Sequence, residues 1–414
     1  MHRLLILGSL GEFVQLIEMA KSRGIYTIVC DGYGGSIGKA HADKAYDIDV
    51  GDTDAIVDMC RREKVDGIIT SFSDYLFECM VKIAQKAHLK CYFDVEHLPL
   101  YRDKTRMKDM LTTLGIGTPA YRYVEKDFSD QKLDGLQFPV VVKPIDKYGS
   151  RGVQVLYSIE EIREKFDDTC ATSDCKKILV EEYHDGFEFN MMTWVLHGKV
   201  QVISIADREK TSIGHHEIPI STRNVYPSKR MDCVFEEAKR ILQKTADYTG
   251  QQSGPLSMQF FWKPETCVQV CEIAGRFFGY EHELTEYAGD FSIEKLLLDY
   301  VYDEEKIEQT FAAYSPYFDK VSAVLYFHGK PGMRVVNQEK ARELAKLPGV
   351  KECWLFYQEG EQVIEHGPNP YVARYYITGD TREEVDSLTE SIFAKMTVTD
   401  EAGREVLYQN QIGK

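Results

Sequence analysis

The segment VVVKPIDKYGSRGVQVL, residues 140–156, decides how the rest of the chain is read. Its opening valines and its last four residues have the apolar, β-branched composition of two strands. Pro144 stops the first strand, and the glycines at 149 and 152 make the connection small and pliable. Lys143 stands where the first strand ends, and an ammonium seldom closes a buried strand without a partner. A glycine-containing turn can lay backbone N–H groups against an anion, and a neighbouring lysine can point at the same place. Taken alone, the segment fits equally well a polar hairpin with a snorkelling lysine.

The sequence around it narrows the choice. With 414 residues, 43% of them hydrophobic, the chain can bury several cores in two to four structural units. A formal charge of −16 argues against nonspecific binding to nucleic acid or to anionic membranes as the main task. No apolar run is long enough to span a bilayer, and the first residues lack the shape of a signal peptide. The ten cysteines include no CxxC pair. Cys267 and Cys271, four apart in a strand-like segment, are expected on one face as buried, reduced thiols in a cytoplasmic protein. Neither an HExxH motif nor zinc-type Cys/His spacing occurs.

Residues 1–98 alternate strand and helix in the rhythm of a parallel, doubly wound sheet, with strands at 4–7, 26–30, 67–70 and 90–93. Gly8 and Gly11 flank the first strand-to-helix turn, but GSLGEF is not GxGxxG, so a dinucleotide site is only a weak reading. The next helix has Asp103 as its N-cap and Gly115 just past its end. Strand-like segments then follow to residue 206, and a loop spans 210–228. A long helix comes next, then two strands bearing Gln259 and Glu272, and a helix at 293–302. From about residue 311 the pattern becomes a small α+β unit.

Several chemistry-bearing residues recur along this path. Lys104 follows the helix cap, Lys143 precedes the glycine loop, and EEYHDGFE forms an acidic and aromatic hinge. Gln259 and Glu272 lie on neighbouring strands, and Arg276 stands four residues past Glu272. Two cations with backbone amides suit phosphates, a carboxylate suits Mg²⁺, and an apolar hinge suits a base. His215 and His216, with Arg208 and Arg223, read as a polar loop or as a substrate-recognition loop over the site. Phe277, Phe278 and Tyr280 line a pocket or pack beneath a sheet.

In order and spacing, DK at 103–104, VVVKP with GSRGV, VEEY with the G and E after it, and EIAGR at 272–276 resemble the motifs of the ATP-grasp superfamily. The resemblance runs the length of the chain. It implies an α/β and α+β fold: a Rossmann-like pre-grasp domain at 1–98, a two-lobed grasp domain at 99–310 with its small lobe at about 120–185, and a C-terminal α+β subdomain at 311–414. By the same resemblance Lys104 and Lys143 hold the phosphates of ATP, and Tyr148, Gly149, Ser150 and Gly152 belong to the phosphate loop. Glu181, Glu182, Tyr183 and His184 take the adenine, mostly through backbone atoms, and Glu188 takes the ribose. Glu272 binds Mg²⁺, with Gln259 as a weaker second ligand and Mn²⁺ as an alternative ion. Arg276 holds the substrate carboxylate or its acyl phosphate. Two departures thin the metal shell: Gln259 stands where many members carry an acid, and Ala274 where many carry Asn.

The activity implied is an ATP-dependent carboxylate–amine ligase that passes through an acyl phosphate and releases ADP and phosphate. Its partners would be small carboxylates and amines, amino acids among them, since the EIAGR form resembles that of some L-amino-acid ligases. Neither nucleic acid nor membrane is implied, and a homodimer is the default assembly. The alternatives are a purine-pathway ligase or carboxylase of the same superfamily, a dinucleotide-dependent oxidoreductase, and a nucleotide-binding protein without catalysis.

Overall fold

In the computed structural model, residues 1–145, 152–171, 173, 175–364 and 371–413 are described. The N-terminal sheet is parallel, in the order β3-β2-β1-β4, built from β1 (Arg3–Leu7), β2 (Tyr26–Cys30), β3 (Lys44–Tyr46) and β4 (Gly67–Ile69). β1, β2 and β4 are nearly continuous apolar runs buried on both faces, while β3, at the edge, is largely exposed. Residues 90–93 do not form the expected strand: they join two helices, and Tyr92 and Phe93 pack as core aromatics. Gly8 has φ +108°, and a Cβ there would meet the Phe13 ring at 2.4 Å, so close packing explains this glycine.

The second sheet, β5-β8-β6-β7, is antiparallel: β5 (Tyr121–Glu125), β6 (Val140–Pro144), β7 (Gln154–Leu156) and β8 (Lys177–Glu182). The valine segment thus forms the hairpin expected of it. Val140, Val142 and Pro144 are buried, the valines in a core beneath the helix Ile159–Cys170, while Val141 and Lys143 point to the other face by the two-residue period of the strand.

Eight antiparallel strands make the third sheet, in the order β13-β12-β9-β10-β11-β14-β16-β15. They are β9 (Phe187–Leu196), β10 (Lys199–Thr211), β11 (Ile220–Tyr226), β12 (Ser253–Trp262), β13 (Gln269–Ala274), β14 (Val321–His328), β15 (Val350–Leu355) and β16 (Tyr371–Gly379). The sheet runs without a break from the segment before residue 310 into the C-terminal unit, through the pairing of β11 with β14. Two readings change here. The stretch 210–228 is a hairpin rather than a loop, so Arg208 and Arg223 sit in strands. Cys267 precedes β13 and is exposed, so it does not share a buried face with Cys271.

The two faces of the large sheet differ. Val225, Ala323, Leu325, Tyr375 and Ile377 pack in one core, on the side of the helix Arg382–Lys395. Tyr226, Val324, Tyr326 and Tyr376 belong to the other core, which is shared with the N-terminal domain.

Candidate functional site

Lys143, on β6 of the antiparallel four-stranded sheet, stands within electrostatic reach of β13 in the eight-stranded sheet. Its Nζ lies 2.5 Å from Glu181 Oε2 on the paired strand β8. Burial alone pulls the ammonium toward neutrality, but Glu181, together with Cys271 and Glu272 on β13, holds it above its ordinary range. The influence of Glu272 and Cys271 places Lys143 against the large sheet as well as its own. The opening puzzle is thereby resolved in structural terms: the strand ends in a lysine because a buried carboxylate meets it.

Glu181 has a second cation. Lys108, buried, contacts both the Glu181 carboxylate and the Thr118 hydroxyl. Burial raises the Glu181 carboxyl, and Lys143 and Lys108 more than offset this and hold it down. Lys108 itself is pulled down, chiefly by burial. Sequence reasoning missed Lys108. Its signal was a lysine inside the apolar stripe of Met107, Met110 and Leu111, on the helix Lys104–Thr113. Lys104 opens that helix, and Asp103 caps it as expected by accepting from Thr105 N at 2.8 Å.

Residues 183–186 join the two sheets. Tyr183 N donates to Pro139 O at 3.0 Å, and the Glu182 carboxylate accepts from Gln137 N at 2.8 Å. The His184 ring stacks on Phe261 with centroids 4.9 Å apart, and burial keeps its imidazole below the ordinary range. Of the residues expected to form a phosphate loop, only Gly152 is described. It has φ +70°, and a Cβ would meet Thr169 O at 2.9 Å. Tyr148, Gly149 and Ser150 lie outside the described residues. Beyond the hinge, buried Glu188 gathers Arg208 at 2.7 Å, Lys210 and the Gln259 amide nitrogen. Burial raises this carboxyl too, and Lys210 and Arg208 hold it down.

Strand register puts the key polar residues on one face of the large sheet. Glu272 pairs with Gln259, and Gln259 with Asn190. Arg208 pairs with Asn224, and Tyr326 with Arg374. Antiparallel partners share a face, and so do residues two apart on a strand. The links from Asn190 through Ala206 to Arg208, and from Asn224 through Val324 to Tyr326, therefore keep the row on one side. Arg223 faces the opposite way. It is fully buried on Glu209 and Asp386, which removes it as a partner for a substrate carboxylate.

Arg276, four residues past Glu272, is held by Asp74 through two hydrogen bonds of 2.9 and 2.6 Å. Asp74 opens the helix Asp74–Ala87 of the N-terminal domain, so this pair ties the two parts of the chain across the site. Phe277 is core packing, Phe278 bridges to Phe72, and Tyr280 carries the guanidinium of Arg374 at 3.8 Å. The backbone of His216 bonds Val155 of the antiparallel four-stranded sheet, and the His215 ring stacks on Tyr157 at 4.1 Å, so the β10–β11 hairpin ties the two sheets together.

Glu281 was not foreseen. It is buried and accepts from Asn190 at 2.7 Å, Asn224 at 2.8 Å and the Tyr226 hydroxyl at 2.7 Å. Burial pushes its carboxyl up to about 7 even though these donors and Arg208 favour the anion. The available clue was a lone Asn within each of two otherwise buried strands, EFNMMTWVL and ISTRNVY.

Among the described residues no group of three His, Cys, Asp or Glu side chains is arranged to hold a metal, and no helix is long and apolar enough to cross a membrane. Glu272 and Gln259 nevertheless present a carboxylate and an amide side by side. The Gln259 nitrogen is engaged by Glu188, which leaves its oxygen for a cation. Oxygen donors of this kind suit Mg²⁺, and two of them leave most of an octahedron to other ligands.

The model of the ATP-grasp domain family matches residues 136–283, the span from the valine hairpin through Glu272 to Glu283. A formate-dependent phosphoribosylglycinamide formyltransferase of Prochlorococcus marinus is 25% identical over 196 residues, 46% of this chain and 50% of that protein. The chain thus spans about half the length of such curated relatives. Among solved structures, the L-amino acid ligase of Bacillus licheniformis superposes with a TM-score of 0.80 at 16% identity, covering 97% of this chain and 99% of that one. The biotin carboxylase domain of the Hydrogenobacter thermophilus 2-oxoglutarate carboxylase, described as bound to MgADP, ADP and bicarbonate, gives 0.74 at 14% identity, covering 96% and 90%. At these identities the structural likeness speaks to fold. Residues 136–283 thus match the ATP-grasp domain family, and nearly the whole chain shares its fold with these structures.

Proposed function

We propose that the chain is an ATP- and Mg²⁺-dependent carboxylate–amine ligase that releases ADP and phosphate. The observation that carries this reading is the approach of Lys143 on one sheet to Glu272, the register partner of Gln259, on the other. In this reading the adenine lies at residues 181–184 and the ribose beside Glu188. Lys104, Lys143 and the amides of 148–152 receive the phosphates, and Glu272 and Gln259 hold the cation, which adds positive charge beside the transferred group. The ten cysteines, all unbridged, suit a reducing compartment.

A substrate carboxylate oxygen attacks the γ-phosphorus. The bond from phosphorus to the β–γ bridging oxygen breaks, and ADP leaves. The amine nitrogen then attacks the acyl carbon, a C–N bond forms, and phosphate departs. Of the two protons an ammonium gives up, one goes to the departing phosphate and the other to a carboxylate of the site or to water. Cations already fixed by Glu181 and Glu188 meet the developing charge with little reorganisation. Arg276, oriented by Asp74, steadies the acyl phosphate.

The sequence similarity to a formate-dependent formyltransferase favours a second reading, in which the carboxylate is a one-carbon acid. Incubation with ATP, Mg²⁺ and a panel of carboxylate and amine pairs, followed by nucleotide and product analysis, tests both. ADP and phosphate with a mass for the condensed product support ligation. Stoichiometric AMP sinks the acyl-phosphate route, and turnover only with formate or bicarbonate favours the second reading.

A further inference from the structure

The polar row continues past the nucleotide region to Arg374 on β16. This residue is 3% exposed, yet its Nε and Nη1 atoms have no hydrogen-bond partner among the described residues. The other buried arginines among the described residues are neutralised by carboxylates at hydrogen-bonding distance, Arg223 by Glu209 and Asp386 and Arg276 by Asp74, and so is the partly buried Arg382, by Asp207 and Glu209. Arg374 has rings instead. Its guanidinium lies 3.8 Å from the centroid of Tyr280, 4.8 Å from Phe356 and 5.7 Å from Tyr376. Stacking favours a guanidinium but leaves its N–H edge to be satisfied elsewhere.

Two carboxylates lie within electrostatic reach without closing on it. Glu283 faces the buried His282 ring through Oε1 at 3.3 Å, but its Oε2 and that of Glu12 are buried with no hydrogen-bond partner among the described residues. Glu12 stands close enough to both Arg374 and Arg276 for each to act on it, so this cluster and the reaction centre adjoin. Tyr326 stacks on Tyr371 at 4.8 Å, and Tyr371 meets Tyr280 at 5.7 Å, giving the cluster an aromatic wall. Tyr326 leads on to Asn224 and Glu281. One open cation, two open acids and an aromatic wall match a small zwitterion: a carboxylate on the guanidinium edge, an ammonium on the acids and a side chain against the rings.

Resting on the ligase reading, we propose that Arg374 binds the free carboxylate of the amine-bearing co-substrate, and that Glu12 and Glu283 hold its ammonium, so that the nitrogen donor is an amino acid. Arg374 takes the carboxylate, which does not react, while Glu12, influenced by both Arg374 and Arg276, keeps the nitrogen on the side of the reaction centre. Arg374 is thus a specificity residue rather than a catalytic one.

The test is a calorimetric titration of free amino acids and their carboxamides into the full chain, alongside Arg374→Gln and Arg374→Lys. It needs no turnover, so it stands apart from failure of the ligase reading. At least one amino acid is expected to bind the parent protein tenfold or more tightly than its amide. The Gln variant is expected to lose that preference and the Lys variant to keep part of it, with ATP binding unchanged. If the Gln variant does not fold, the Lys variant carries the comparison. Where a substrate pair is found, KM for the amine rises at least tenfold in the variants while KM for ATP holds. Equal binding of acids and amides, no amino acid binding, or preferential binding of ribose 5-phosphate that Arg374→Gln abolishes would overturn the assignment.

Discussion

Around Lys143 each cation touches a buried carboxylate, whereas Arg374 touches none. Glu181 stands between Lys143 and Lys108, and Glu188 between Arg208 and Lys210, each carboxylate nearly out of contact with water. Such a cluster is already shaped before a ligand arrives, because each cation is fixed by a carboxylate that it shares with a second one. At the other end of the same sheet face, Arg374 rests on aromatic rings, and the acids near it keep open oxygens. The difference teaches that one sheet face can hold a preorganised half, tolerant of being empty, and a half whose charges call for a ligand.

Four changes break or sharpen that contrast, in falling order of expected effect. The carboxylate of Glu272 is the one acid of the proposed metal pair. Glu272→Gln is expected to lower turnover by on the order of a thousandfold while leaving the melting temperature within a few degrees. Phosphate release and thermal unfolding measured together check it. A variant with full activity would place the metal elsewhere.

Lys143→Ala comes next. Glu181 keeps Lys108, so the protein should stay folded, while turnover falls by on the order of a hundredfold and ATP binding weakens. Unfolding of the variant with unchanged ATP affinity per folded molecule would make the lysine purely structural.

The third probe is pH. An acid with a raised pKa binds its proton more tightly in the folded than in the unfolded chain. Its cost to stability is therefore absent below about 4.5 and complete above about 7, the range between the ordinary value and that of Glu281. Glu281→Gln removes this dependence and can keep the bonds from Asn190 and Asn224. The variant should gain on the parent protein by about 2–3 kcal/mol as pH rises through that window, read from denaturant midpoints at pH 4.5 and 8. A constant difference across the window would show that Glu281 is charged throughout. Glu12, also pushed to about 7 by burial, titrates in both proteins and cancels in the comparison.

The smallest expected effect lies at the helix that carries Lys104 and Lys108. Asp103→Ala removes the side-chain oxygen that accepts from Thr105 N and Arg106 N, and should cost about 1 kcal/mol. A loss of activity much larger than the loss of stability would mean that the cap also aims Lys104.

Much of this was legible in the chain itself. Alternating apolar runs marked β1, β2, β6, β12 and β16, and the cap at Asp103 and the αL glycine at 115 marked the helix between them. These features depend on neighbours a few residues apart, where side-chain period and backbone sterics act directly. The order of the motifs led to the superfamily for the same reason.

What the linear pattern left undecided depends on partners far apart in sequence. Arg208 and Arg223 look alike in a polar stretch, yet strand register turns one toward Glu188 and the other toward Asp386. Lys108 reads as a surface lysine until Glu181, 73 residues away, comes to meet it. Arg276 finds Asp74 at a separation of 202 residues. The sequence by itself determined most of the elements and the domain family that residues 136–283 match. Tertiary structure alone decided which charges are paired, which are buried and which stay open, because burial and Coulomb energy depend on distance in space and not on separation along the chain.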